Sequence, residues 1–115
     1  MMLERIDTFC LKVRDVERAS EWYQEKLGLK ETFRDDGYRI LSVGDSSVPI
    51  TIEEGETSES HHQSYPIFFT SAIDETYETL KNRGVEVGEL QRDEVNRFFD
   101  LYDLDENRLQ VCFWE

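Results

Sequence analysis

The side chains best suited to chemistry occupy a few short stretches of this 115-residue chain. His61 and His62 offer two imidazoles, the usual beginning of a transition-metal site. Neighbours in an extended segment point to opposite sides, and no cysteine or suitably spaced third ligand accompanies them, so a solvated pair is expected. The stretch DLDEN, from Asp103 to Asn107, has the D-x-D-x-N spacing that opens a calcium loop. Such a loop would next need glycine where Arg108 stands and a bidentate glutamate where Trp114 stands, so its Asp and Asn residues are read as turn formers. Cys10 and Cys112 are too few for a disulfide framework. Their positions in strands predict buried free thiols, and Cys10 has no histidine nearby in sequence to activate it as a nucleophile.

A second group emerges from strand parity. In β-structure alternate residues face opposite sides. Setting the apolar residues on one face leaves Thr8, Cys10, Thr51, Tyr65, Phe98, Asp100, Tyr102, Gln110 and Cys112 on the other, with Trp114 at the end of the same face. Aromatic rings, short hydroxyls and one carboxylate are what a pocket for an organic ligand requires. The alternative is a filled interior whose polar atoms satisfy one another.

These residues need elements to hold them. From Ile6 to Val13 the chain alternates, with Phe9, Leu11 and Val13 on one side and Thr8, Cys10 and Lys12 on the other. Val16, Ala19, Trp22, Tyr23 and Leu27 then fall on one helical face, with Asp15 placed to cap the helix and Gly28 to close it. The same order returns later. Ile67 and Phe69 alternate, Ser71 stands where a cap is needed, and Ile73, Tyr77 and Leu80 share a helical face that Gly84 ends. A single offset of 57 residues lays Thr8 over Tyr65 and Val16 over Ile73, and twice that offset is nearly the whole chain. Two duplicated half-domains are expected, with helices near residues 15–27 and 72–83.

Between the helices, Asp36-Gly37 is a hairpin turn flanked by LKETFRD and YRILSVG. VPITIEE follows as a strand that is at an edge or begins at Pro49, because proline has no N–H for a ladder. Residues 55–64 are polar and aperiodic, as a surface linker should be. VEVGEL, NRFFDLY and RLQVCFW are the remaining strands, giving a second β-α-β-β-β order. The expected division is an N-terminal module at 1–56, a linker at 57–64 and a C-terminal module at 65–115.

Composition bounds the answer. Charged residues make up 34% and hydrophobic ones 38% of the chain. That balance describes one soluble domain, which at this length buries roughly two-thirds of its unfolded surface. No apolar run approaches a membrane span, and MMLERIDTF carries Glu4 and no apolar signal core, so a cytoplasmic location is expected. The net charge of −13 repels phosphate backbones and anionic lipid, which argues against nucleic acid or membrane as a partner.

The stretches LKVRDVERASEWYQEKLGL, AIDETYETLKNRGVEV and FFDLYDLDENRLQV resemble the vicinal oxygen chelate superfamily, which includes glyoxalase I, extradiol dioxygenases and bleomycin resistance proteins. Together they span most of the chain. The family's usual D-P-D-G-N turn is here DLDEN, with Leu104 and Glu106 in place of proline and glycine. The resemblance implies an α+β fold: two βαβββ modules whose curved mixed sheets enclose a cavity, with helices on the convex side. A homodimer is also expected, because curved sheets in modules this small leave edges and apolar rims that need covering, and family members pair modules within or between chains to cover them.

In the family's enzymes one divalent metal is held by four side chains, and the resemblance carries those positions to Thr8, Thr51, Tyr65 and Gln110. Two hydroxyls, a phenol and a neutral amide carry no formal charge to offset dehydration of the ion, so no metal and no other cofactor is expected. Asp100 and Glu53 are the nearest carboxylates for a relocated site. The expected function is a non-catalytic binder of a small cationic or aromatic molecule, similar to the bleomycin resistance branch. The alternative is a glyoxalase- or dioxygenase-type enzyme with a shifted metal site, or with Tyr65 and Asp100 as acid and base.

Overall fold

A computed structural model describes residues 2–56 and 64–115, so His61, His62 and nearly all of the expected linker lie outside the described residues. The chain divides into two compact units, Met1–Glu59 and Ser60–Glu115. Among the described residues each is a mixed α+β unit with one helix and one sheet. No described helix is long and apolar enough to cross a membrane.

The first unit runs β1 (Phe9–Val13), α1 (Val16–Leu27), β2 (Lys30–Asp35), β3 (Tyr38–Ser42) and β4 (Ile50–Glu54). Its sheet has the order β1-β4-β3-β2, with β1 parallel to β4 and the other pairs antiparallel. Alternation sets the faces. Leu11, Val13, Leu41, Ile50 and Ile52 are buried, and α1 packs against β2, β3 and β4 with Val16, Ala19 and Tyr23 buried. The helix begins where Asp15 accepts a hydrogen bond from the Arg18 N–H at 3.1 Å. It ends at Gly28, whose φ of 73° is the left-handed conformation glycine adopts without penalty.

One expectation changes here, and one open alternative is decided. β1 starts at Phe9 and not Ile6, and Met2, Leu3 and Ile6 are exposed. In the parallel ladder the Phe9 N–H reaches the Pro49 carbonyl at 3.1 Å, and one step earlier the partner has no N–H to give. β4 is hydrogen-bonded on both sides, so Pro49 marks the start of an interior strand and not an edge.

The second unit runs β5 (Ile67–Phe69), α2 (Ile73–Asn82), β6 (Glu86–Val87), β7 (Gln91–Arg92), β8 (Asn96–Tyr102) and β9 (Arg108–Trp114). The order is β5-β9-β8-β6, with β7 also paired to β8 and β5 parallel to β9. Ile73, Leu80, Val85, Phe99, Leu101, Leu109 and Val111 are buried. The Tyr77 ring stands edge-on to Phe99 at 4.9 Å and its hydroxyl donates to the Gly88 carbonyl at 2.8 Å.

Ser71 is not the cap of α2. The helix starts one residue later, so the cap position falls on Ala72, which has no side-chain acceptor, and Thr70 Oγ1 accepts from the Ala72 N–H at 3.2 Å instead. Of the expected strand VEVGEL only Glu86–Val87 forms a strand, β6, and β7 lies beyond its end at Gln91–Arg92. Gly88 lies between them, its N–H given to the Asp100 carbonyl at 2.8 Å, and pairing with β8 resumes at Gln91. The DLDEN turn closes around the buried Asp103, whose carboxylate accepts from the Asp105 and Asn107 N–H groups at 2.8 Å each. Glu106 occupies a φ of 64° there, the position that the family's turn fills with glycine.

Candidate functional site

In each unit the sheet face away from the helix carries the candidate residues, and the two faces differ in chemistry. On the first, Thr8 and Thr51 touch through their hydroxyls at 2.7 Å. Thr8 Oγ1 spends its proton on the Pro49 carbonyl at 3.0 Å, so Thr51 is the donor of the pair. Further along, Lys12 on β1 is ion-paired with Glu53 on β4. Cys10, the register partner of Thr51, is exposed. This corrects the expected buried thiol: parity sends Cys10 to the face that α1 leaves uncovered. Cys112 is half-buried, and desolvation raises its thiol pKa above the ordinary value.

On the second face the polar groups converge. The β8–β9 register sets Asp100 opposite Gln110, Tyr102 opposite Arg108 and Phe98 opposite Cys112. Gln110 Nε2 donates to Asp100 Oδ1 at 3.1 Å. Arg108 Nη2 donates to the same oxygen at 3.3 Å, and its Nε lies 3.2 Å from Oδ2. The Arg108 guanidinium also sits 3.9 Å from the centre of the Tyr65 ring, a cation–π contact. Tyr65 is held there because the Gln110 N–H is bonded to the carbonyl of the adjacent Pro66 at 3.1 Å. Ile67 and Phe69 continue this face on β5, both 55% exposed, and Phe69 stands edge-on to Trp114 at 5.5 Å.

The structure therefore joins Tyr65, Asp100 and Gln110 in one cluster, with Phe98 and Tyr102 half-buried on the same strand as Asp100. It joins Thr8 to Thr51 separately. Sequence parity missed the residue at the centre of the first cluster, Arg108. The signal was present, because the DLDEN turn puts Tyr102 opposite Arg108 and Asp100 diagonal to it.

These contacts test the family's metal positions. The Thr8 and Thr51 hydroxyls bind one another, the Tyr65 ring faces a cation, and Gln110 gives an amide N–H to a carboxylate. The residues do not fit a divalent ion, which needs charged oxygens or imidazole nitrogens. The relocated site fares no better, since Glu53 and Asp100 are each matched by a cation from the neighbouring strand. Among the described residues no three His, Cys, Asp or Glu side chains gather as a metal site. Nor is Asp100 placed as a general base with Tyr65 as acid, because both its oxygens face Arg108.

Residues 5–111 match the glyoxalase/bleomycin resistance protein/dioxygenase superfamily, and the chain belongs to that family, within the vicinal oxygen chelate group. Among solved structures it is similar to the antibiotic binding protein TnmS3 from Streptomyces sp. CB03234, at a TM-score of 0.87 and 18% identity over 100% of this chain and 99% of that one. It is similar to a protein assigned to the glyoxalase family from Bacillus anthracis, at 0.82 and 21% over 98% and 97%. FosX from Listeria monocytogenes, a fosfomycin resistance protein solved with Mn(II) and sulfate, gives 0.82 and 19% over 99% and 93%. At such identities these likenesses establish the fold. A search of curated protein sequences finds no match.

Proposed function

We propose that the protein binds a small planar organic molecule on the sheet face that α2 leaves uncovered, without a metal and without converting the molecule. The observation that carries this reading is the Asp100–Arg108–Gln110 cluster on Tyr65, flanked by Phe98, Tyr102 and Phe69. Aromatic and aliphatic surface supplies most of the contact, and a few fixed polar groups set orientation. The description of TnmS3 as antibiotic binding supports a binder on this fold.

A cationic ligand is the less favoured choice, because Asp100 already faces a guanidinium. The protein is also inferred to be a homodimer, since β1 and β5 end their own sheets and β5 exposes Ile67 and Phe69 at such an edge. Sedimentation giving only a 13.7 kDa species at micromolar concentration would count against that.

Trp114 lies on the proposed binding face and reports on it by fluorescence. Titration with planar aromatic compounds should give a saturable change that a chelator leaves intact and that Trp114→Phe removes. One equivalent of tightly held divalent metal in the purified protein, or binding that requires added metal, would overturn the reading.

A further inference from the structure

We propose that Arg108 selects the ligand of this face, and that it selects a neutral planar aromatic bearing a carbonyl oxygen over the corresponding anion. The inference rests on the binding reading above and names the ligand class for the same site. A guanidinium has five N–H donors in a rigid fork. Asp100 takes the Nε–Nη2 side of that fork, and Tyr65 supports one of its flat faces. Nη1 makes no hydrogen bond to any described residue, and the side chain remains 42% exposed. Arg108 is therefore held in place with donors that no described residue uses, directed away from its carboxylate partner. Its neighbours on this face, Tyr102 across the β8–β9 pair and Gln110 two residues on, add a ring and an amide.

Charge decides which acceptor suits those donors. Lone guanidinium groups bind carboxylates in preference to neutral acceptors, because the hydrogen bonds are charge-assisted. Arg108 is not alone, since Asp100 already balances it and the chain as a whole carries −13. A ligand carboxylate would share the guanidinium with a second carboxylate a few ångströms away, a like-charge arrangement that disfavours the ionised pair. A carbonyl conjugated to an aromatic ring accepts the same hydrogen bond without that repulsion. Its ring can lie along the surface that Phe98, Tyr102 and Phe69 provide.

The test uses three probes with one ring system: naphthalene-2-carboxamide, naphthalene-2-carboxylate and 2-methylnaphthalene, each titrated against the intact protein. The amide should bind about tenfold or more tightly than the methyl compound, the scale a hydrogen bond to a charged group supplies. It should also bind more tightly than the carboxylate. Arg108→Met should erase the preference of amide over methyl, and Arg108→Lys, which keeps charge but loses the planar fork, should restore it only in part. Asp100→Asn should move the carboxylate-to-amide ratio toward the carboxylate by about tenfold, as removing a competing charge predicts. Thermal melts check that each variant is folded. Equal binding of amide and methyl probes, or an Arg108→Met variant that keeps the preference, would overturn the role of Arg108 while leaving a general aromatic binder standing. Preference for the carboxylate in the unmodified protein would overturn the charge argument. Failure of all three probes to bind would overturn the binding reading, and this inference with it.

Discussion

The two units share a strand order and differ on one face. In both, the first strand runs parallel to the last, and the helix covers the alternate residues that are apolar. On the uncovered face the first unit has a hydroxyl pair, Thr8–Thr51, and an exposed Lys12–Glu53 ion pair. The second has an aromatic ring beneath a guanidinium, a carboxylate and an amide in mutual contact. The fold thus constrains about one residue in two along β1, β4, β8 and β9. The other half is free to diverge, and specialisation has gone further in the second unit.

The sharpest way to break this comparison is to change neighbouring residues of one strand. Phe99 is fully buried and packs edge-on against Tyr77, so Phe99→Ala should cost about 3–5 kcal/mol in urea unfolding. Phe98→Ala, one residue away on the other face, should cost under about 1 kcal/mol and weaken binding of an aromatic probe instead. Similar losses from both would show that the two faces of β8 are not divided between stability and binding.

A smaller effect is expected in the first unit, away from its candidate residues. The Glu31 carboxylate accepts from the buried Ser20 hydroxyl at 2.8 Å and from Arg34 Nε at 3.0 Å, and lies 3.4 Å from Arg39 Nε. Burial pushes its pKa up, but the Ser20 bond and the two arginines outweigh this and hold it below the ordinary carboxylate value. A folded-state pKa that is lowered contributes stability above the unfolded value, and that contribution fades as pH falls through the folded value. Glu31→Gln should therefore cost about 1–3 kcal/mol at neutral pH, with the gap to the unmodified protein narrowing on acidification below the ordinary carboxylate pKa. A gap that widens in acid would reverse the assignment.

The hydroxyl pair gives a milder contrast. Thr51→Val removes the donor to Thr8 while keeping shape, and a loss of about 1 kcal/mol in urea unfolding is expected, with little change in aromatic probe binding. A large binding loss would move the site toward the first unit's face. The smallest effect should be a gain. Glu106 holds a left-handed backbone that costs a non-glycine residue about 1–2 kcal/mol, partly offset by the flexibility glycine adds to the unfolded chain. Glu106→Gly should raise stability by about 0.5–1 kcal/mol, read as an upward shift in melting temperature.

Much of this was legible along the chain because it is local. Period-two alternation set Leu11 and Val13 on the face that is buried, and period 3.6 found both helices. Asp15 and Gly28 act at the ends of α1 as their types predict, since a cap needs only its own side chain and the next turn. Ser71 failed because a cap depends on where the helix starts to within one residue, and periodicity fixes starts less finely than that.

The sequence by itself determined which side of each strand is apolar, where the chain turns and which family it belongs to, because those properties reside in single residues and short spacings. Only the tertiary structure decided who meets whom. Arg108 reaches Asp100 and Tyr65 through the register of β8 on β9 and of β9 on β5, which joins residues distant in the chain. The chain leaves β6 at Gly88 where its pairing with β8 is interrupted, and the register of β1 on β4 matches Glu53 with Lys12. A side chain's charge is written in its type, but whether that charge is available to a ligand depends on the partner that register places beside it.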